Sequence, residues 1–302
     1  MRAPNWLGAC ASLKHQTLGP FVLTLPAIVG IVLLFVAPFF TFAVYSVLTA
    51  GILPFQADVP VTLEAYKHFL SAGVNRTLAR NSAWTGFFAA ITTVVIALPV
   101  AFWLRYAAGS RRNLVLLLVT ATIFASYLVR IYAWRSMLGQ NGVLNSALIS
   151  IGAIDAPLQF LLFNRFAVTI ALVHIFLPYV VLLLYAALGP VSINLLEAAQ
   201  DLGAGVVRRW TRVVLPLVAA PSATAFIFVF ILSASDYVTP QFLGGTKGIM
   251  LGVRIQESFL KTGDWPAGAA GALTMLVAFL LLYLLVSFAL RLLGLRSLRF
   301  VS

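Results

Sequence analysis

Three ionisable side chains set against long apolar runs are the residues of this sequence best placed to do chemistry. Arg130 follows the uncharged run 113–129, His174 lies inside 166–196, and Asp236 closes 213–235 beside Tyr237. A charge at membrane depth is costly and usually faces a cavity or a polar partner. Asp236 next to Tyr237 offers a cationic amine both charge and an aromatic face. It serves equally as an interfacial carboxylate paired with a nearby base. Arg130, with Tyr132 two residues on, either lines a path or snorkels to the membrane surface along its apolar stem. His174 reads as a hydrogen bond between helices rather than a proton relay. Trp134, Tyr132 and Trp265 fit an aromatic belt as well as a solute path.

Catalytic constellations are missing. No G-x-x-x-x-G-K-[ST] occurs, and Gly244-Gly-Thr-Lys-Gly248 has that composition in the wrong order. There is no H-E-x-x-H and no G-x-S-x-G, and the three histidines are scattered, so neither a metal nor a bound cofactor is expected. The single cysteine, Cys10, supports no disulfide. Without paired catalytic groups, a membrane enzyme is a poor reading.

The elements that must hold these residues follow from composition. Of 302 residues, 62% are hydrophobic and 9% charged, against about 25% charged in a soluble domain. Mean hydropathy is +1.02. Runs without Asp, Glu, Lys or Arg cover 15–57, 81–104, 113–129, 166–196, 213–235 and 265–290. About 20 apolar residues cross a bilayer as a helix, and lipid offers the backbone no hydrogen bonds, so spans are helices or closed barrels. Alternating strands are absent. The expectation is one all-α integral membrane domain over 1–302, with six spans at about 21–48, 82–104, 114–134, 166–188, 213–235 and 267–290. The first is expected to be retained, being too long for a signal peptide, and to bend at Pro26 and Pro38. The second is preceded by a short helical stretch near Leu63–Leu70. The uncharged run 136–154 is rejected as a seventh span, since it holds Gln140, Asn141, Asn145 and three glycines. Its piece 143–154, and 158–163 after it, are expected to lie against the membrane or other helices.

Charge orients the spans. With both termini on one side, that side holds 11 basic residues against Glu197 and Asp201. The other holds 9 basic and 6 acidic residues. By the positive-inside rule the first side is cytoplasmic. The net charge of +12 is thus a topology signal. No nucleic-acid partner is expected, because the arginines are spread over four separate segments.

The cytoplasmic loop 189–212 is longer than a connection needs. Leu195, Ala198, Ala199 and Leu202 recur at i, i+3, i+4 and i+7, one helical face. Asn194 and Glu197 have the offset of a capping box, and Gly203 sits where a helix C-cap belongs. A second short helix is expected after it, with Val206, Trp210 and Val213 on one face. Arg208, Arg209 and Arg212 suit anionic headgroups.

Glu197-Ala198-Ala199, three residues, Gly203, nine residues, then Val213-Val214-Leu215-Pro216 resembles the EAA loop of binding-protein-dependent ABC importer permeases. Val213 departs from that family's isoleucine. The pieces Leu128–Trp134, Gly139–Asn145, Ser235–Pro240, Leu243–Gly245 and Asp264–Pro266 resemble the spermidine/putrescine branch. The resemblance implies a type I importer permease fold in a bacterial cytoplasmic membrane. Glu197, Ala198, Ala199, Gly203, Leu215 and Pro216 would then couple to a cytoplasmic ATPase dimer, which alone binds ATP. Glu197 read by itself is only a helix cap. The further implied partners are an extracytoplasmic solute-binding protein and a second permease subunit, expected to be a different chain. Iron, thiamine, phosphonate or opine permeases share parts of these motifs. An ion-coupled secondary transporter, a rival reading, would need no ATPase and usually shows inverted repeats.

The orientation is testable in intact cells. A cysteine replacing Arg208, on a background without Cys10, should escape a membrane-impermeant thiol reagent added from outside. Labelling there would invert the topology.

Overall fold

The computed structural model describes residues 20–49 and 60–292. Cys10 lies outside them, as do Arg2, Lys14, Arg296 and Arg299, four of the 11 basic residues counted on the cytoplasmic side. Among the described residues every regular element is helical: α1 (Pro20–Ile31), α2 (Ala37–Tyr45), α3 (Glu64–Ser71), α4 (Gly73–Tyr106), α5 (Arg112–Ile123), α6 (Tyr127–Leu138), α7 (Val143–Ser150), α8 (Arg165–Ala187), α9 (Ile193–Asp201), α10 (Val206–Arg209), α11 (Leu215–Ala234), α12 (Val238–Leu243), α13 (Leu251–Leu260) and α14 (Trp265–Leu292). Five continuous stretches are long and apolar enough to cross a membrane: Thr24–Tyr45, Gly73–Tyr106, Arg165–Ala187, Val206–Ala234 and Trp265–Leu292. A sixth candidate is a helix pair, Gly109–Ile123 and Tyr127–Ser150, bent by 94° at the break between them. The chain is therefore all-α with five or six candidate spans.

Several local expectations need correction. The stretch 114–134 is not one straight helix. Its first limb, α5, has 12 residues, about 18 Å, roughly half the hydrocarbon thickness. Neither glycine nor proline marks the break at Phe124–Ser126, so residue type hides it. The second span begins earlier than 82: α4 has 34 residues from Gly73, because Arg76 and Arg80 interrupt the apolar run without interrupting the helix. The helix after Gly203 is not separate, since Val206–Ala234 is continuous. Asn194 does not cap α9 either. Ser192 occupies the N-cap position, and no side chain bonds the exposed amides.

Two prolines leave the same mark on the backbone. A π-helical turn, Val32–Val36, ends just before Pro38, and another, Trp210–Val214, just before Pro216. Proline has no N–H and its ring crowds the carbonyl four residues back. Widening the preceding turn absorbs that conflict while the helix continues.

The core is a seam of small residues. α4 packs lengthwise against both α8 and α11, and Ala89, Ala90, Ala97 and Ala101 on α4, Ala167 and Ala171 on α8, and Ala225 on α11 are all fully buried. In lipid the association of helices rests on close packing, which small side chains permit. At Gly86 α4 and α11 approach closely: an added Cβ would stand 2.9 Å from the Ala234 Cβ and 3.1 Å from the Phe230 carbonyl oxygen. Gly86→Val should therefore wedge α4 from α11 and cost about 1–3 kcal/mol. Gly73→Ala, where nothing lies within 4 Å, should leave the melting temperature in detergent unchanged. Equal melting temperatures for both variants would show that the seam does not set stability.

Candidate functional site

The loop between α8 and α11 hangs rigidly from the core. Leu196 is the buried residue of α9, joining Leu104, Leu188, Val191 and Val214 in one apolar cluster. The end of α4 clamps the chain just ahead of α9. The Arg105 Nη2 donates to the Gly189 carbonyl at 3.0 Å, and the Tyr106 hydroxyl donates to that of Val191 at 2.8 Å. Phe102 packs against both Tyr106 and Trp210, with ring centroids 4.7 Å apart in each pair. Arg209 on α10 donates to the Gln200 side chain of α9 at 2.7 Å.

α9 ends in a Schellman motif. The Gly203 N–H donates to Gln200 O at 2.8 Å, and the Ala204 N–H to Ala199 O at 3.0 Å. Gly203 has φ +78°, which a side chain adopts only under strain. So anchored, α9 displays its other face outward. Glu197 and Ala198 are exposed and Ala199 is half-buried. Leu195 and Leu202 are 50% and 87% exposed, an apolar pair around a small-residue patch. Leu215 and Pro216, also exposed, begin α11 right after the π turn. Arg208 and Arg212 remain exposed as well.

A second group of polar residues gathers at the elbow between α5 and α6. The Tyr127 hydroxyl donates to the Asp236 Oδ2 at 2.8 Å and lies 2.9 Å from the Thr239 hydroxyl. Asp236 also accepts the Val238 and Thr239 backbone N–H groups at 3.0 and 3.2 Å. Its carboxylate thus caps α12 and ties the elbow to the end of α11. One turn along α6, Arg130 is only 9% exposed, and its Nη1 donates to the Ile175 carbonyl of α8 at 3.2 Å. It does not snorkel. His174, the neighbour of Ile175, is exposed on the surface of the chain and meets the Trp134 ring edge-on at 5.7 Å. It makes no hydrogen bond to another described residue, so the expected helix-to-helix bond is absent.

Asp236 and Tyr237 point different ways. While Asp236 turns back to cap α12, Tyr237 lines a cavity with Phe42, Ile255 and Phe259. The joint carboxylate–aromatic site expected from their adjacency does not form. Tyr132 stands half-exposed against Phe242. Asp236 is bonded to Tyr127, and Arg130, one turn along α6, is bonded separately to α8; Tyr132 and Tyr237 do not join them. Sequence reasoning missed Tyr127, Thr239, Tyr106 and Phe102, because an aromatic or hydroxyl residue inside an apolar run carries no distinguishing pattern.

Residues 69–298 match the family described as binding-protein-dependent transport system inner membrane component. The spermidine/putrescine transport system permease protein PotB of Haemophilus influenzae is 34% identical over 224 residues, 74% of this chain and 78% of the relative. Its Escherichia coli K12 counterpart is 32% identical over 233 residues, 77% and 84% of the two chains. Among solved structures, a bacterial ABC transporter involved in import of the acidic polysaccharide alginate superposes with a TM-score of 0.74 at 15% identity. That match covers 90% of this chain and 94% of the other, a likeness of fold.

The clamp can be tested apart from any partner. Tyr106→Phe removes the hydroxyl that holds the chain ahead of α9, a loss of about 0.5–1.5 kcal/mol. Trypsin should then cut the detergent-solubilised protein at Arg208 and Arg212 up to about tenfold faster. An unchanged cleavage rate would assign the loop's rigidity to Leu196 and the aromatic contacts instead.

Proposed function

We propose a function from one premise: this chain belongs to the family of binding-protein-dependent transport system inner membrane components. It is a non-catalytic permease subunit of an ABC importer. In our reading α9 is the element through which a cytoplasmic ATPase dimer drives the path, and both termini share its side of the membrane. The observation that carries this is the outward face of α9. A helix anchored through Leu196, Arg105 and Tyr106 presents Leu195, Ala198 and Leu202 to the exterior. Small residues flanked by apolar ones let another surface approach closely and exclude water. Gly203 fixes the angle at which that face is offered.

The solute we propose is a polyamine, delivered by an extracytoplasmic binding protein. A second permease subunit, a different chain, completes the path. Support comes from the polyamine permeases at 31–34% identity. Arg130 and Asp236 contribute to that path by fixing the elbow, with Tyr132 beside it. Tyr237 borders the cavity on the other side of the α11–α12 turn.

Reconstitution with the partner subunits decides the matter. Spermidine or putrescine uptake should require ATP, and iron, thiamine, phosphonates and opines should not substitute. Ala198→Trp should block close docking, and Gly203→Val should reorient α9, which has no low-strain alternative at positive φ. Each should lower uptake and solute-stimulated ATP hydrolysis at least about tenfold, the effect of roughly 1.4 kcal/mol, with membrane insertion retained. Normal uptake in both variants would remove α9 from the coupling, and uptake without ATP hydrolysis would favour an ion-coupled transporter.

A further inference from the structure

We infer that His174 and Trp134 form a transit subsite for the solute's ammonium group, on the wall that this chain contributes to the path. The inference rests on the polyamine reading above and extends it to a place and a chemistry. His174 is the tenth residue of the 23-residue α8, close to the middle of a span. It is exposed on the surface of the chain, with no hydrogen bond to another described residue. An imidazole turned into hydrocarbon would leave two polar nitrogens unsatisfied, which lipid cannot remedy. The face bearing His174 therefore adjoins water or polar groups, as a translocation path does.

Its surroundings define what it would take. A neutral imidazole presents one nitrogen lone pair. The two rings, His174 and Trp134, stand at 72° to each other, with centroids 5.7 Å apart, so the pair makes a corner of one acceptor and one indole. Indole is the best aromatic partner for a cation. A primary ammonium donates to the imidazole nitrogen and lies against the indole. Arg130 lies near this corner, close enough for its charge to act on His174. It is nine-tenths buried and bonded to Ile175, the residue next to His174, which holds α6 and its Trp134 in place. The Arg130 charge also repels a cation that stays. A pathway needs sites that attract enough to admit and hold weakly enough to release, and an acceptor corner backed by a fixed positive charge has that balance.

The test uses the assembled importer in proteoliposomes, with binding protein and ATP. His174→Leu and Trp134→Leu should each cut sub-saturating spermidine uptake about tenfold, the loss of one acceptor or one cation–π contact. His174→Asn, which keeps an acceptor, should recover most of it. In His174→Cys, made without Cys10, a membrane-impermeant cationic thiol reagent should modify position 174, and spermidine should slow the reaction. Wild-type uptake by His174→Leu, or a thiol inert both at rest and during turnover, would overturn the inference and place His174 against lipid or the second subunit. An importer that carries no spermidine, yet whose thiol at 174 is modified and protected by another solute, would overturn the ammonium chemistry and the polyamine reading together. Position 174 would still line the path. The two failures are thus separable.

Discussion

Lipid provides no hydrogen bonds, and each departure from regular helix here answers that constraint. Where Pro38 and Pro216 interrupt the ladder, a π turn carries the helix past them. Where the third span breaks, the groups at the break find partners inside the chain. Tyr127, the first residue of α6, bonds Asp236, whose carboxylate in turn satisfies two amides of α12. Arg130, whose charge would otherwise be stranded, bonds a carbonyl of α8. That carbonyl lies beside the one that Pro178 leaves without its helical donor. A broken helix at membrane depth is tolerated only where such internal bonds exist or where the backbone lines a water-filled cavity.

The same constraint moves the work of cohesion onto shape. Apolar burial drives helices together weakly when lipid is the alternative. Contact along α4 therefore depends on alanines and on Gly86, which let α8 and α11 approach closely. Those close approaches pack the three helices into one unit. The loop between α8 and α11 is tied to that unit, since Tyr106 and Arg105 at the end of α4 bond the chain that leads into α9.

How much of this was legible depends on whether a feature leaves a trace in residue type. The spans were legible because charge is expensive in lipid, and α9 because its apolar spacing and Gly203 fix a face and an end. Positive φ at Gly203 follows from its place after Leu202, and the structure has it. The elbow was not legible, since Phe124, Ala125 and Ser126 are all compatible with helix. The hydrogen-bond partners of Asp236 and Arg130 leave no trace in residue type for a related reason. A carboxylate at a span end reads equally as a free charge or an ion pair, whereas α12, only six residues long, needs a cap. A straight third span would put Arg130 near a surface, but the chain bends by 94° just before α6.

One geometric relation joins the loop to the elbow. The two helices that flank α9 are those to which the elbow is fastened: α8 through the Arg130–Ile175 bond and α11 through the Tyr127–Asp236 bond. A helix transmits displacement along its axis because each turn is bonded to the next. A push on α9 that tilts α8 and α11 together would carry the elbow with them, while a push that separates them would load its two fastenings in opposite directions. The π turn at Trp210–Val214 lies between the loop and the apolar body of α11. Trp210 within it packs on Phe102 and Val214 within it is fully buried. Force entering at α10 therefore meets a widened turn that is itself braced against α4. If α9 couples to the ATPase as proposed, that bracing would favour concerted tilting over local yielding, the motion that would reach both fastenings of the elbow together.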